Sequence, residues 1–303
     1  MRAVQGSVRK PPLLGTAVAL LLSLAGCVPS AFEKMSRLER DLRLSVGREA
    51  PGARLSLWLA RADGRELLAI DADRPVPGAS LLKVLILVEA HAQARAGSFA
   101  WTDNYTLLST DLVGGTGSFQ RERVGSSWTY LQFARRMISE SDNVAANVLL
   151  RRLGMASVNA RAASLGLRVT RFEREFMDFE AQREGRENWT TAREIGSLLR
   201  AIFRRELLTP DACDAMIASL ERTSRGRIAA GVPKDVAVGH KSGVMAGGYS
   251  HDAGWVRVPG QPYVLSVLLE GVLPPREDGE DRGQAALEAV GRLVYDAIGP
   301  TDE

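Results

Sequence analysis

The stretch Pro75–Gln93, "PVPGASLLKVLILVEAHAQ", constrains the fold more than any other part of the chain. After the Pro77-Gly78 punctuation, Leu81, Leu82, Val84, Leu85, Ile86, Leu87 and Val88 cover every side of a helix that stops near Gly97. A helix that is apolar all round lies inside a protein, so other elements must surround it. Lys83 lies within this run, three residues after Ser80. A buried lysine needs either a route to water for its ammonium or a chemical task.

The chain of 303 residues, 45% hydrophobic and 25% charged, is long enough for one large domain or two coupled lobes. Arg2, Arg9 and Lys10 precede a short apolar run that ends in Leu24-Ala25-Gly26-Cys27, the pattern of an export signal. That ending also resembles the lipobox of bacterial lipoproteins, in which the signal is cut before the cysteine and the cysteine carries lipid. The expected division is a signal over 1–26, a lipidated Cys27 and a tether over 27–35, giving an extracytoplasmic, membrane-anchored protein. An ordinary cleaved signal and an uncleaved anchor are the alternatives. Removing residues 1–26 lowers the formal charge from +3 to 0, so the basic balance gives no reason to expect nucleic acid as a partner. Cys213 then stands alone and reads as a small core residue.

A capping box at Ser36–Glu39, followed by Leu38, Leu42 and Val46 on one face, predicts a first helix. The alternation in "RLSLWLA", the Asp63-Gly64 turn and "ELLAID" predict a hairpin. Residues 100–205 read as mostly helical. From 236 onward "VAVGHKSG", "HDAGWVRV" and "PYVLSVLLEG" predict three strands, and Leu287, Val290, Leu293, Val294 and Ile298 mark a closing helix. The expected fold is α+β: a five-stranded antiparallel sheet flanked by terminal helices (36–99 with 206–303) and an inserted all-helical lobe (100–205).

Three short motifs follow one another: Ser80-x-x-Lys83, Ser141-Asp142-Asn143 and Lys241-Ser242-Gly243. Read singly, Ser141 or Asp142 could cap the next helix, and Lys241 could be a solvated strand residue. In this order they resemble the SxxK, SDN and KTG set of class A β-lactamases and penicillin-binding proteins, with serine for threonine in the third. The chemistry suits the residue types. A serine at a helix start can expose its hydroxyl where the dipole favours a developing oxyanion, and a lysine one turn later can reach it. Desolvation would keep that lysine partly neutral and able to take the serine proton.

The resemblance implies roles for the remaining residues. Ser141 would relay a proton to the leaving nitrogen, and Asn143 would hold Lys83 and the substrate amide. Lys241 and Ser242 would bind the substrate carboxylate, and the backbone N–H of Val244, first after Gly243, would complete an oxyanion hole. Class A β-lactamases also carry an RxExxxN loop for releasing the acyl group. Arg171-Phe172-Glu173 fits its first half, but Met177 occupies the asparagine position. Glu173 or Glu175 is therefore the candidate deacylation base, with ion pairing among Arg171, Arg174 and Arg183 as the competing role.

Histidine chemistry is the rival mechanism. His91, eleven residues beyond Ser80, would lie about 16 Å along the helix, out of contact. The neighbours His251-Asp252 could form a dyad but read as structural residues of the sheet, and no GxSxG elbow is present. The sequence has no metal-ligand cluster or nucleotide-binding fingerprint, so no cofactor is expected. The expected activity is hydrolysis of β-lactam amides by a monomer through a Ser80 acyl-enzyme. A D-alanyl-D-alanine peptidase with slow deacylation is the enzymatic alternative. A non-catalytic cell-wall-binding or β-lactam-sensing lipoprotein is the other.

Overall fold

The computed structural model describes residues 30–299; Cys27 and the expected signal lie outside them. Helix α1 (Ala31–Glu49) starts six residues before the expected position, and residues 31–35 are helix rather than tether. The reciprocal cap belongs to Ser30 and Glu33: Ser30 Oγ accepts from Glu33 N at 3.2 Å, and the Glu33 carboxylate accepts from Ser30 N at 2.8 Å. Ser36 and Glu39 become interior positions, and Glu39 pairs with Arg43 one turn on.

Strands β1 (Arg54–Arg61) and β2 (Glu66–Ile70) form the expected hairpin. The chain then enters the helices α2 (Lys83–Arg95), α3 (Tyr130–Ser139), α4 (Asn143–Leu153), α5 (Met155–Ser164), α6 (Phe179–Arg183), α7 (Ala192–Phe203) and α8 (Pro210–Leu220). It returns through β3 (Val238–Met245), β4 (Tyr249–Val256), β5 (Tyr263–Glu270) and α9 (Arg282–Ile298). The strand order is β2-β1-β5-β4-β3, with every neighbour antiparallel. The long β1–β5 pairing, from Arg54 opposite Glu270 to Arg61 opposite Tyr263, joins the two ends of the chain in one sheet.

Alternation along β1 gives each face its own core. Leu55, Leu57 and Leu59 meet Leu42 and Val46 of α1 and Leu287, Val290 and Val294 of α9. Trp58 and Ala60 face the other way, toward a helical core centred on Leu81, Leu85 and Val88. Each fully buried Leu, Ile or Val side chain contributes about 2 kcal/mol through area removed from water. Helix α8 sends Cys213, Met216 and Leu220 into the helical core, although the expected boundary at 206 assigns it to the sheet lobe. The Cys213 thiol donates to Leu207 O at 2.8 Å and is a packing residue there. Among the described residues no helix is long and apolar enough to cross a membrane.

Candidate active site

Ser80 occupies a tight 3-10 turn, Ala79–Leu82, and the regular helix α2 begins only at Lys83. The turn is entered through Ala79 at φ +44°, a left-handed conformation that costs a non-glycine residue about 1–3 kcal/mol. Gly243 of the edge strand β3 packs against the same turn. A Cβ at Gly243 would stand 3.2 Å from Ser80 N, so the lack of a side chain lets the strand come alongside the serine.

Lys83 is fully buried, with its Nζ at the centre of the site. It donates to Ser80 Oγ at 3.1 Å, Asn143 Oδ1 at 2.8 Å and Ser141 O at 2.5 Å, and it lies 3.3 Å from Ser141 Oγ. Burial, with the charge of nearby Lys241 adding to it, pushes the Lys83 ammonium well below the ordinary lysine range against the opposing pull of Asp142. An amine held this way can accept the Ser80 proton.

The second motif is delivered by a strained corner between α3 and α4. Ser141 adopts φ +56°, and Asp142 caps α4 by accepting from Ala145 N at 2.9 Å. Asp142 also accepts from Phe119 N at 2.8 Å, tying the loop over the corner. Gly117, at φ +106°, allows that closeness, since a Cβ there would fall 2.1 Å from Asp142 Oδ2. Both readings of the motif therefore hold at different residues: Asp142 caps a helix, while Ser141 and Asn143 face Lys83.

Lys241 of β3 donates to Ser141 Oγ at 2.9 Å, so the Ser141 hydroxyl lies between the two lysines. Burial, reinforced by the charge of Arg227 and partly offset by Asp252, lowers the Lys241 ammonium to about 8. Ser80, Ser141, Arg227, His240, Lys241, Ser242 and Val244 border a cleft region of about 280 Å³ rich in cationic groups. Val244 is exposed at its mouth. Arg227 escapes sequence reasoning because "SRGR" carries no spacing signal.

The histidines take structural positions. His240 Nδ1 faces Asp252 at 2.9 Å, and Nε2 faces Ser224 O at 3.2 Å. Both partners are acceptors; although burial opposes the charge, Asp252 and the carbonyl outweigh it and raise the imidazole pKa. The partner of Asp252 is thus His240, not its neighbour His251, because adjacent strand residues point to opposite faces. His251 accepts from Leu269 N at 3.2 Å through Nδ1, its Nε2 bonds Pro77 O at 3.0 Å, and burial lowers it to about 4. His91 packs on Trp101, ring centroids 4.9 Å apart.

A second cleft region, about 250 Å³, opens on the other side of Ser80 and is bordered by Asn143, Phe176, Met177, Glu187, Asn188 and Met245. The segment 171–189 forms its wall, and neither candidate deacylation base lines it. Glu173 accepts from Arg171 Nε at 2.6 Å and from Glu187 N at 3.2 Å, and Glu175 pairs with Arg151 at 2.6 Å. Both carboxylates are thus held by arginines rather than presented to Ser80. The carboxylate that does reach this wall is Glu187, which pairs with buried Arg174 at 2.8 Å. Phe176 stands over Lys83, its ring centroid 4.6 Å from Nζ.

Comparison with protein families matches residues 37–298 to the β-lactamase enzyme family. A β-lactamase of Streptomyces albus G is 30% identical over 254 residues, covering 80% of this chain and 78% of that protein. Among solved structures, a β-lactamase from Sphaerobacter thermophilus superposes with TM-score 0.78 at 25% identity, covering 86% of this chain and 97% of its own. The penicillin-binding protein PBP-A gives TM-score 0.76 at 27% identity, covering 86% and 96%, and a mutant of PBP-A has been captured as an acyl-enzyme with penicillin G. With its three motifs meeting at Ser80 in this fold, the chain belongs to the β-lactamase enzyme family and is a serine hydrolase of the class A type.

Proposed function

We propose that this protein opens β-lactam amides by transferring their acyl group to Ser80. Ser80 Oγ attacks the ring carbonyl carbon as its proton passes to neutral Lys83. The C–N bond then breaks, and the proton reaches the ring nitrogen through Ser141, which lies between Lys83 and Lys241. Lys241, Ser242 and Arg227 offer the positive and polar surface that a substrate carboxylate requires. The observation that carries this reading is the buried Lys83, its ammonium pushed well below the ordinary lysine range by burial, within hydrogen-bonding distance of Ser80.

The test is ring opening of a chromogenic cephalosporin, run beside release of D-alanine from an acyl-D-alanyl-D-alanine peptide. Ring opening by the wild type and its loss in Ser80→Ala are expected. Failure of the wild type to open the ring, with release of D-alanine, would replace this reading by the peptidase one.

The activity is further proposed to act outside the cytoplasm, with the chain tethered through lipid on Cys27. The basic start, apolar run and Leu24-Ala25-Gly26-Cys27 ending support it. A Cys27→Ser protein that still fractionated with membranes after its signal had been removed would contradict the anchor.

A further inference from the structure

Opening the ring is half of a hydrolytic cycle; the other half requires a water to attack the Ser80 ester, give up a proton to a base and return Ser80 as a hydroxyl. Such a water needs two or more polar partners and a base beside the ester. On one side of Lys83 the space is filled by Ser141 and Asn143, which already take its hydrogen bonds. On the other side stands the apolar face of Phe176.

Phe176 is not a passing side chain of a surface loop. Its N–H donates to Asn147 Oδ1 at 2.9 Å and its carbonyl accepts from Asn147 Nδ2 at 2.9 Å, so one buried amide from α4 fixes its backbone in both directions. Its ring packs edge-on against Phe172, centroids 5.9 Å apart. The nearby carboxylates are committed elsewhere. Glu173 and Glu175 are held by Arg171 and Arg151. Glu187 does line this cleft region, but it receives Arg174 Nε at 3.0 Å, Arg174 Nη2, Gln182 Nε2 at 2.9 Å and Asn188 N at 2.7 Å. Both of its oxygens are thus taken up by donors of its own segment.

We propose that Phe176 occupies the space a hydrolytic water would need beside Ser80 and Lys83, so that the acyl-enzyme forms readily and is released slowly. This rests on the acyl-transfer reading above. Lys83 is left as the base nearest the ester, because the amides that border the same cleft region are already engaged: Asn143 by Lys83 and Gly114 O, and Asn188 by the backbone of Glu173 and Arg174.

The experiment follows benzylpenicillin on the full-length protein by intact mass. Free antibiotic is removed after the initial burst, and loss of the adduct is timed. For the wild type, release at least about 100-fold slower than acylation is expected, the scale of missing general-base catalysis. Phe176→Glu should speed release about 100-fold and Phe176→Ala about tenfold, whereas Phe176→Leu should retain the wild-type lifetime. Thermal melting of each variant establishes that it is folded. A wild-type adduct discharged as fast as it forms would overturn the proposal, as would folded Phe176→Glu and Phe176→Ala proteins that both hold the adduct as long as the wild type. Absence of both adduct and ring opening would instead remove the acyl-transfer reading beneath it.

Discussion

The two sides of Ser80 are built on opposite principles. On the Lys241 side, polar groups from α2, the α3–α4 corner and β3 converge, and buried Lys83 has four oxygen atoms within 3.3 Å. On the 171–189 side, the charged groups pair among themselves and an apolar ring faces Lys83. Burial is used differently in each. In the first it holds two ammonium groups below their ordinary range, which makes one a base. In the second, the Arg174–Glu187 pair turns a cleft carboxylate into a structural tie between the ends of its segment. Activating the nucleophile and releasing its product are therefore separable properties of one cleft.

The largest expected break in this comparison is Lys83→Ala. Removing the base should slow Ser80 acylation by about 10²–10⁴, the usual worth of general base catalysis, as read by the burst phase. An unaltered burst would mean that another group takes the proton. A smaller effect comes from pH. Burial, aided by Arg227, places free-enzyme Lys241 at about 8, so its cation is present below that pH and lost above it. The kcat/KM for acylation should accordingly fall by up to about tenfold per unit above pH 8, because it reports free-enzyme groups. A flat profile between pH 8 and 9.5 would deny Lys241 a charged role. The smallest effect belongs to Glu173→Gln and Glu175→Gln, which should each leave release of the acyl group within about twofold, since both carboxylates are engaged by arginines. A tenfold loss in either would return the deacylation role to that residue and erase the contrast between the two sides.

What could be read in the sequence follows from how local each signal is. Ser80 and Lys83 are one turn apart, Ser141 and Asn143 two residues apart, and Lys241 is next to Ser242, so each pair carries its spacing within itself. Their meeting required the family resemblance, because no periodicity brings residue 80 to residues 141 and 241. The strands were legible from alternation in β1 and from turn residues around β5. The start of α1 was not, since Ser30–Glu33 and Ser36–Glu39 are equally good capping boxes on paper and only the first has its reciprocal bonds. Phe176 was illegible for a different reason: an apolar residue in a charged stretch reads as packing, and its position over Lys83 depends on an amide 29 residues earlier. The same limit applies to His240, whose partner lies across the strand pairing rather than next to it in the chain.

The central claim, that Ser80 carries the acyl group, is tested most directly by intact mass followed by peptide mapping after exposure to benzylpenicillin. Addition of the serine O–H across the ring amide loses no atoms, so the predicted result is a gain equal to the whole antibiotic, on the peptide that contains Ser80, and no gain in Ser80→Ala. An adduct on another residue, or ring opening that persists in Ser80→Ala, would contradict it.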